Sequence, residues 1–286
     1  MIGVSSYSFG HYLSDLGVKE TIRRAKEMGF DAIEFAELAI QGTKEELIEE
    51  AKKYRDWAEE IGIIINNYAT VGDMTHYFGG ATTIEEEIKR LQDRVDVAEA
   101  LGCDKMRHDI AWEYNGGRSL INFFEALPIY ANAAREITKY AQQKGIKTMF
   151  ENHGFFVQKA DRVEALLETV NHPNFGLLLD MGNFVCADDN NLNSVKKLAK
   201  YAFHCHAKDF YMKDYTEPDE EGWFRSDGGT LLQGCALEEG KIRPIKCMEI
   251  LKDCGYKGDL SLEYEGEGDN LEGIAKGYKI LRENWN

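Results

Sequence analysis

Two histidines flank a cysteine in YAFHCHAKDF, residues 201–210, and Lys208 and Asp209 follow at once. Taken alone, His-Cys-His suggests a zinc site. The run is also apolar and β-rich, and in a strand successive side chains face opposite ways. His204, His206 and Lys208 then share one face, and Cys205 points to the other. At roughly 3.3 Å rise per residue, His204 lies roughly 6.6–7 Å from His206. One ion held at about 2.1 Å from each ligand would be strained to accept both. His206 is therefore the expected ligand, and His204 a buried, hydrogen-bonded residue one layer down. Its partners lie far off in sequence. Glu151, Asp180 and Glu263 end three other apolar runs, 55 and 26 residues before His206 and 57 after it. Three carboxylates and one imidazole form an oxygen-rich, hard donor set. It suits one divalent ion, Mn²⁺ foremost, with Mg²⁺, Co²⁺ or Zn²⁺ as alternatives. No basic partner is evident for these acids, and without a cation they would repel one another.

Something must bring four distant residues together, and the chain carries a repeating device for it. Amphipathic stretches end at glycine or a turn, and a short apolar run follows: EELIEEAKKYRDWAEEIG leads into IIINNYAT, and NAAREITKYAQQKG into IKTMFENH. Glycine after the last periodic residue is the left-handed cap that ends a helix. Runs of four to seven apolar residues suit strands buried on both faces. With GVSSYSF at the start, eight such strands can be counted, and a final helix, LEGIAKGYKILREN, closes the chain. Eight βα units in this length predict an α/β fold of the (β/α)8 TIM-barrel type, with residues 1–286 as one domain. An open doubly wound sheet is disfavoured, because the first turn has no GxGxxG. Each strand begins apolar and turns polar at its C-terminal end: Glu34, Asn66 and Asn67, Arg107 and His108, Glu151 and His153, Asp180 and Asn183, His206 and Lys208, Glu263. That end of a barrel is where barrel chemistry sits.

Composition narrows the function. A formal net charge of −16 opposes nucleic-acid binding, because nothing here would neutralise phosphates. No stretch reaches the roughly 18 apolar residues of a membrane span, and MIGVSSYSF has no basic region of a signal peptide. Six scattered cysteines without CxxC spacing read as reduced thiols, so a cytoplasmic location is expected.

FENHG, LLLDMGNF, HCHAKDF and LSLEYEG, with GFDAIEF earlier in the chain, resemble the signatures of the xylose-isomerase-like TIM-barrel superfamily of sugar isomerases and epimerases. The resemblance spans essentially the whole chain. It implies divalent-metal ligands at Glu151, Asp180, His206 and Glu263. From the ketose 3-epimerase branch it implies further that Glu151 and Glu263 are the acid/base pair working on either side of an enediolate. Two departures bear on the substrate. GFFVQK has no acid where that branch carries a further glutamate, and Asn183 stands where it has histidine. A branch of the superfamily that acts on DNA needs more histidines than the chain offers. The expected function is thus a metal-dependent isomerase or epimerase of a small sugar. A lyase on the same scaffold is the alternative, either inosose-dehydratase-like or the catalytic subunit of a C-glycoside deglycosidase. The subunit would need an accessory protein. A barrel that only binds a ligand would have no reason to keep the acids.

His153 shares parity with Glu151, and a direct proton-transfer role is expected of it. Candidate substrate contacts are Lys208, His108, Asn183, Trp112 and Arg225. Lys208 could polarise a substrate oxygen or pair with Asp209 or Asp180. Of Arg107 and His108 only one can face inward, and His108 is taken as the contact. Tyr7, Phe9, Tyr68, Trp112 and Phe155 could wall the site. The segment from Tyr211 to Gly240 exceeds a usual βα loop, as lids and partner surfaces do. Nothing here decides between a monomer and a homo-oligomer.

Overall fold

A computed structural model describes residues 1–75, 83–112 and 122–285. Eight parallel strands close into a barrel: β1 (Ile2–Ser5), β2 (Ala32–Ala36), β3 (Ile64–Thr70), β4 (Lys105–His108), β5 (Lys147–Glu151), β6 (Phe175–Asp180), β7 (Ala202–Ala207) and, after an excursion, β11 (Asp259–Leu262). β1 pairs with both β2 and β11, which removes any sheet edge. The expected (β/α)8 barrel is the observed fold.

The helices start and stop where local chemistry dictates. α1 (His11–Leu16) and α2 (Val18–Glu27) follow β1. α3 (Lys44–Ile61) opens with a capping box: the Glu46 backbone N–H donates to the Thr43 hydroxyl, and the Thr43 N–H donates to the Glu46 carboxylate. α4 (Ile84–Leu101) opens the same way on Thr83 and Glu86. Gly62 and Gly102 end the two helices at φ 78° and 80°, a region that favours glycine. α5 (Phe123–Gln143), α6 (Ala160–Val170), α7 (Asn191–Leu198), α8 (Pro244–Asp253) and α9 (Asn270–Asn284) complete the outer layer. The barrel strands are nearly all buried, as strands with helices on one side and a filled barrel on the other must be.

The seventh unit departs from the repeat. Instead of a long loop, the chain builds an antiparallel sheet from β8 (Asp209–Lys213), β9 (Phe224–Arg225) and β10 (Leu231–Cys235), with β10 in the middle. The Asp209 carboxylate pins its return path by accepting from the backbone N–H groups of Glu238, Gly240 and Ile242. The expected loop is therefore a small folded sheet beside the barrel mouth. No helix among the described residues is long and apolar enough to cross a membrane.

Candidate metal centre and active site

Strand alternation and register assemble the site. Asp180 sits beside His206 across the β6–β7 ladder, and Ser261 beside His206 across β7–β11. His206 Nδ1 lies 3.4 Å from Glu263 Oε2, 3.7 Å from Asp180 Oδ2 and 3.9 Å from Glu151 Oε1. Two donors that each sit about 2.1 Å from one ion are roughly 3–4 Å apart, so one cation fits among these four groups. The hydrogen bonding agrees. Asp180 Oδ1 accepts from the N–H groups of Gly182 (2.7 Å) and Asn183 (2.8 Å), which orients the carboxylate. Asp180 Oδ2 and His206 Nδ1 are buried with no hydrogen-bond partner. Buried polar atoms are rarely left this way unless something else satisfies them.

The floor beneath is polar too. His206 Nε2 lies 2.7 Å from Glu34 Oε1, a close electrostatic contact rather than an aligned hydrogen bond. His204 Nε2 lies 3.2 Å from Glu34 Oε2 and 2.9 Å from Ser261 Oγ, one layer down as alternation requires. Cys205 faces the helices, fully buried. Glu34 thus leaves Nδ1 of His206 as the nitrogen aimed at the carboxylates, the arrangement by which an outer carboxylate fixes a metal-ligating histidine. Glu34→Gln is expected to weaken Mn²⁺ binding by about 10–100-fold, read by calorimetry.

The acids do have basic partners: Lys208, for which Asp180 was one expected partner, and Arg107, for which none was expected. Lys208 Nζ lies 2.6 Å from Glu263, 3.2 Å from Glu265 and 3.5 Å from Asp180, not paired with Asp209. Arg107 Nε lies 3.1 Å from Glu151, and its Nη1 donates to Asp109 (2.9 Å) and to the Thr70 carbonyl (3.2 Å). Yet these two cations meet five carboxylates (Asp109, Glu151, Asp180, Glu263 and Glu265), which outnumber them.

Charge state follows from burial and neighbours. Burial raises the Asp180 carboxyl to about 7, with the nearby Glu263 and Glu151 adding to it against the pull of Lys208. Burial would also raise Glu263, but Lys208 and His206 hold it well below the usual carboxylate range. For His206 burial acts downward, and Glu34 and Glu263 outweigh it, so the imidazole is raised well above its ordinary value. Asp180 and His206 would have to give up protons to hold a cation here. Because protons and an ion would compete for these groups, ion affinity is expected to fall as pH drops through about 7. We expect at least one proton released per Mn²⁺ bound at pH 6, measured from binding heats in buffers of different ionisation enthalpy.

The cleft above is lined by paired residues two apart on strand ends. Arg107 and Asp109, Glu151 and His153, Lys208, and Glu263 and Glu265 enclose a cavity of about 490 Å³. His153 Nδ1 lies 3.4 Å from Asp109 Oδ1, and its ring stands edge-on to Trp112 at 4.7 Å. Burial lowers the His153 imidazole, but Asp109 outweighs this and the net shift is upward. Trp112 donates its indole N–H to the Gly72 carbonyl (2.8 Å) while lining the cleft. Asn183 donates to Glu151 (2.9 Å) and accepts from Lys208 (3.2 Å), so its amide braces two site residues.

Of two further proposed substrate contacts, His108 lies away from the cleft and Arg225 lines the adjoining cavity. His108 is turned to the helix side, fully buried with its ring 6.3 Å from Phe175, because Arg107 takes the inward position. Arg225 reaches the rim of the excursion sheet, but its guanidinium holds Asp219 (2.6 Å) and the carbonyls of Gly229 (2.7 Å) and Glu217 (2.9 Å). Phe9 and Tyr68 are core residues. Sequence reasoning missed Asp109 and Glu265 and gave Arg107 and Glu34 no role. Opposite charges two apart in Arg107 and Asp109, and two acids two apart in Glu263 and Glu265, were the available signals.

Comparison with known proteins places the fold. The family model described as xylose isomerase-like TIM barrel matches residues 22–284. An inosose dehydratase from Clostridium perfringens is 26% identical over 166 residues, covering 54% of this chain and 54% of that protein. The chain thus spans about half the length of that curated relative. A human protein described as a candidate hydroxypyruvate isomerase is 23% identical over 269 residues, covering 91% and 88%. A xylose isomerase-like TIM barrel protein from Mycobacterium smegmatis, solved in complex with magnesium, superposes with a TM-score of 0.73 at 18% identity, covering 99% and 95%. With its closed parallel barrel and the match over almost all of its length, the chain belongs to the xylose isomerase-like TIM barrel family.

Proposed function

We propose that this chain is a divalent-metal-dependent sugar isomerase or epimerase that moves a proton next to a substrate carbonyl. The observation that carries the reading is the cluster of Glu151, Asp180, His206 and Glu263, whose donor atoms lie within 4.8 Å of one another at the base of an open cleft. These four residues would hold the ion, with Mn²⁺ the expected one. When bound, a divalent ion supplies Lewis-acid stabilisation of the oxygen charge that develops as the neighbouring C–H ionises. The chain's own residues do the rest. Glu151 and Glu263 come from β5 and from just beyond β11, strands separated by β6 and β7 in the barrel, so the two carboxylates flank the cleft floor. One takes the proton and the other returns one, both carboxylates lining the cleft where a carbonyl sugar would sit. Asn183 and Arg107 orient Glu151, and Lys208 orients Glu263. Asp109 holds His153 over the cleft, where the imidazole serves hydroxyl protons.

The test is solvent-deuterium incorporation by NMR, with Mn²⁺ present, across ketoses, aldoses and inososes. Exchange at a carbon next to a carbonyl supports the reading. Metal-bound protein that exchanges none of them refutes it. The Asp109–His153 pair favours one second reading, a dehydratase, because a buried carboxylate beside an imidazole favours the protonated form, the form that can protonate a departing hydroxyl. Loss of water from an inosose in the same screen would select it. The free thiols of all six cysteines suit a reducing, cytoplasmic setting.

A further inference from the structure

The net charge of −16 hides a local reversal. A cavity of about 460 Å³ lies at the N-terminal ends of the strands, the opposite end of the barrel from the carboxylate cluster. It falls in the size range of a small-molecule pocket, roughly 300–1,000 Å³. The first residues of β4, β5, β7 and β11 line it, as does the turn that follows α8. Four lysines (Lys105, Lys147, Lys200 and Lys257) stand around it against two aspartates, Asp104 and Asp259.

One lysine takes both aspartates. Lys105 Nζ lies 3.1 Å from Asp104 and 3.1 Å from Asp259. Lys147 and Lys257 have no carboxylate partner among the described residues, and Lys147 rests instead over the Phe203 ring at 5.2 Å. Lys200 lies over the Tyr201 ring at 4.5 Å, with Glu164 3.8 Å away. Lys147 is also the direct neighbour of Lys105 across the β4–β5 ladder. Like charges placed opposite one another destabilise a sheet, and an anion between them turns that repulsion into attraction.

The backbone leaves room for such an anion. Phe203 is the extra residue of a bulge in β7, since Leu177 pairs with Ala202 and Leu178 with His204. A bulge re-aims a side chain, and the Phe203 ring here forms a wall of the cavity. It packs over Gly176, where a β-carbon would stand 2.6 Å from the ring. On the other side Gly255 turns the chain at φ 84°, and a β-carbon at Gly258 would stand 2.4 Å from the Tyr256 hydroxyl. The N–H groups of Lys257 and Gly258 in this turn donate to no backbone or side-chain acceptor among the described residues. Ammonium groups and backbone N–H donors are the partners that bind phosphate oxygens.

We infer that this cavity binds a phosphate-bearing small molecule, held by Lys147, Lys200 and Lys257 and by the turn at Lys257 and Gly258. Three lysines without a share in the two aspartates suit a di- or triphosphate better than a single carboxylate, which needs one counter-charge. The site stands apart from the proposed reaction, whose carboxylates lie at the other end of the strands.

Pyrophosphate is the probe, titrated by calorimetry at fixed ionic strength into protein dialysed free of unbound divalent ions. One pyrophosphate per chain is expected. The Lys147→Met/Lys257→Met double variant should bind it at least about tenfold more weakly, because two charge-assisted contacts are lost. Both side chains are exposed, and circular dichroism checks that the variant folds. Lys52→Met/Lys53→Met removes the same charge from α3, away from the cavity, and should bind as the parent does. Location has its own readout in the unaltered chain. Cys254 lines the cavity and is the exposed one of the six free cysteines. Saturating pyrophosphate should slow its alkylation by neutral iodoacetamide severalfold. Absence of binding, equal weakening by Lys52→Met/Lys53→Met, full binding by the folded Lys147→Met/Lys257→Met protein, or unchanged Cys254 alkylation at saturation would each overturn the inference. None of these outcomes alters the reading of the metal cluster, which deuterium exchange tests separately.

Discussion

Glu151→Gln protein saturated with Mn²⁺ is expected to exchange the substrate's carbon-bound proton about 10²–10⁴-fold more slowly than the parent, the usual worth of a positioned general acid or base. The amide has the shape of the carboxylate and can keep a contact with Asn183, which donates to Glu151 Oε1 from 2.9 Å. It cannot accept a proton at neutral pH. Because Glu151 also faces His206 Nδ1 at 3.9 Å, the variant will bind Mn²⁺ more weakly, so the comparison needs saturating metal established by an isotherm. Exchange at the parental rate in metal-loaded Glu151→Gln would remove this residue from proton transfer and pass the role to His153 or Glu263.

Arg107→Met should be the most destabilising single change at the site, by about 3–5 kcal/mol, read from the urea midpoint in the presence of EDTA. The guanidinium is buried between Glu151 (3.1 Å) and Asp109 (2.9 Å). Methionine fills much of the volume but leaves two buried carboxylates without their counter-charge, and that uncompensated charge is the cost. The loss should shrink at low pH, where those carboxyls can take up protons. Burial pushes Asp109 upward, but Arg107 together with His153 and His108 offsets it and keeps the carboxyl below its usual value. Removing the arginine therefore raises the folded-state value, and the penalty appears as pH rises through that new value. Added Mn²⁺ should restore part of the stability by supplying a cation to Glu151. A variant within about 1 kcal/mol of the parent at neutral pH would show that Arg107 does not neutralise the pocket, since surface changes away from such features move stability by no more than about half of that.

How much of this could be read from the chain depended on which interactions are local. Helix ends are local events: Thr43 and Glu46, or Thr83 and Glu86, are three residues apart, and Gly62 and Gly102 stop the helices they follow. Strand alternation is local too. It separated Cys205 from His206 and set His204 a layer lower. Repeated eight times, these signals were sufficient for the barrel, because short buried parallel strands joined by helices have few ways to close. The residue types at the strand ends then named Glu151, Asp180, His206 and Glu263, and the fold brings those four together.

Other features depended on which face of a strand end turns inward and on contacts across the barrel. The tetrapeptide from Lys105 to His108 does not say whether Arg107 or His108 faces in. Pairing with β3 and β5 decides it for Arg107 and sends His108 to the helices. The sequence offered Asp180 as a partner for Lys208 but not Glu263 and Glu265, which stand more than fifty residues later on the adjacent strand end and lie nearer to it. Glu34 lies 172 positions before His206 and still sets which of its nitrogens faces the acids. The chain by itself thus determined the architecture and the donor atoms, since both follow from short-range periodicity and residue chemistry. Only the tertiary structure decided the charge balance and the imidazole's orientation, because each arises between segments far apart in sequence: Arg107 meets Glu151 across β4 and β5, Lys208 meets Glu263 across β7 and β11, and Glu34 reaches His206 across the closed ring.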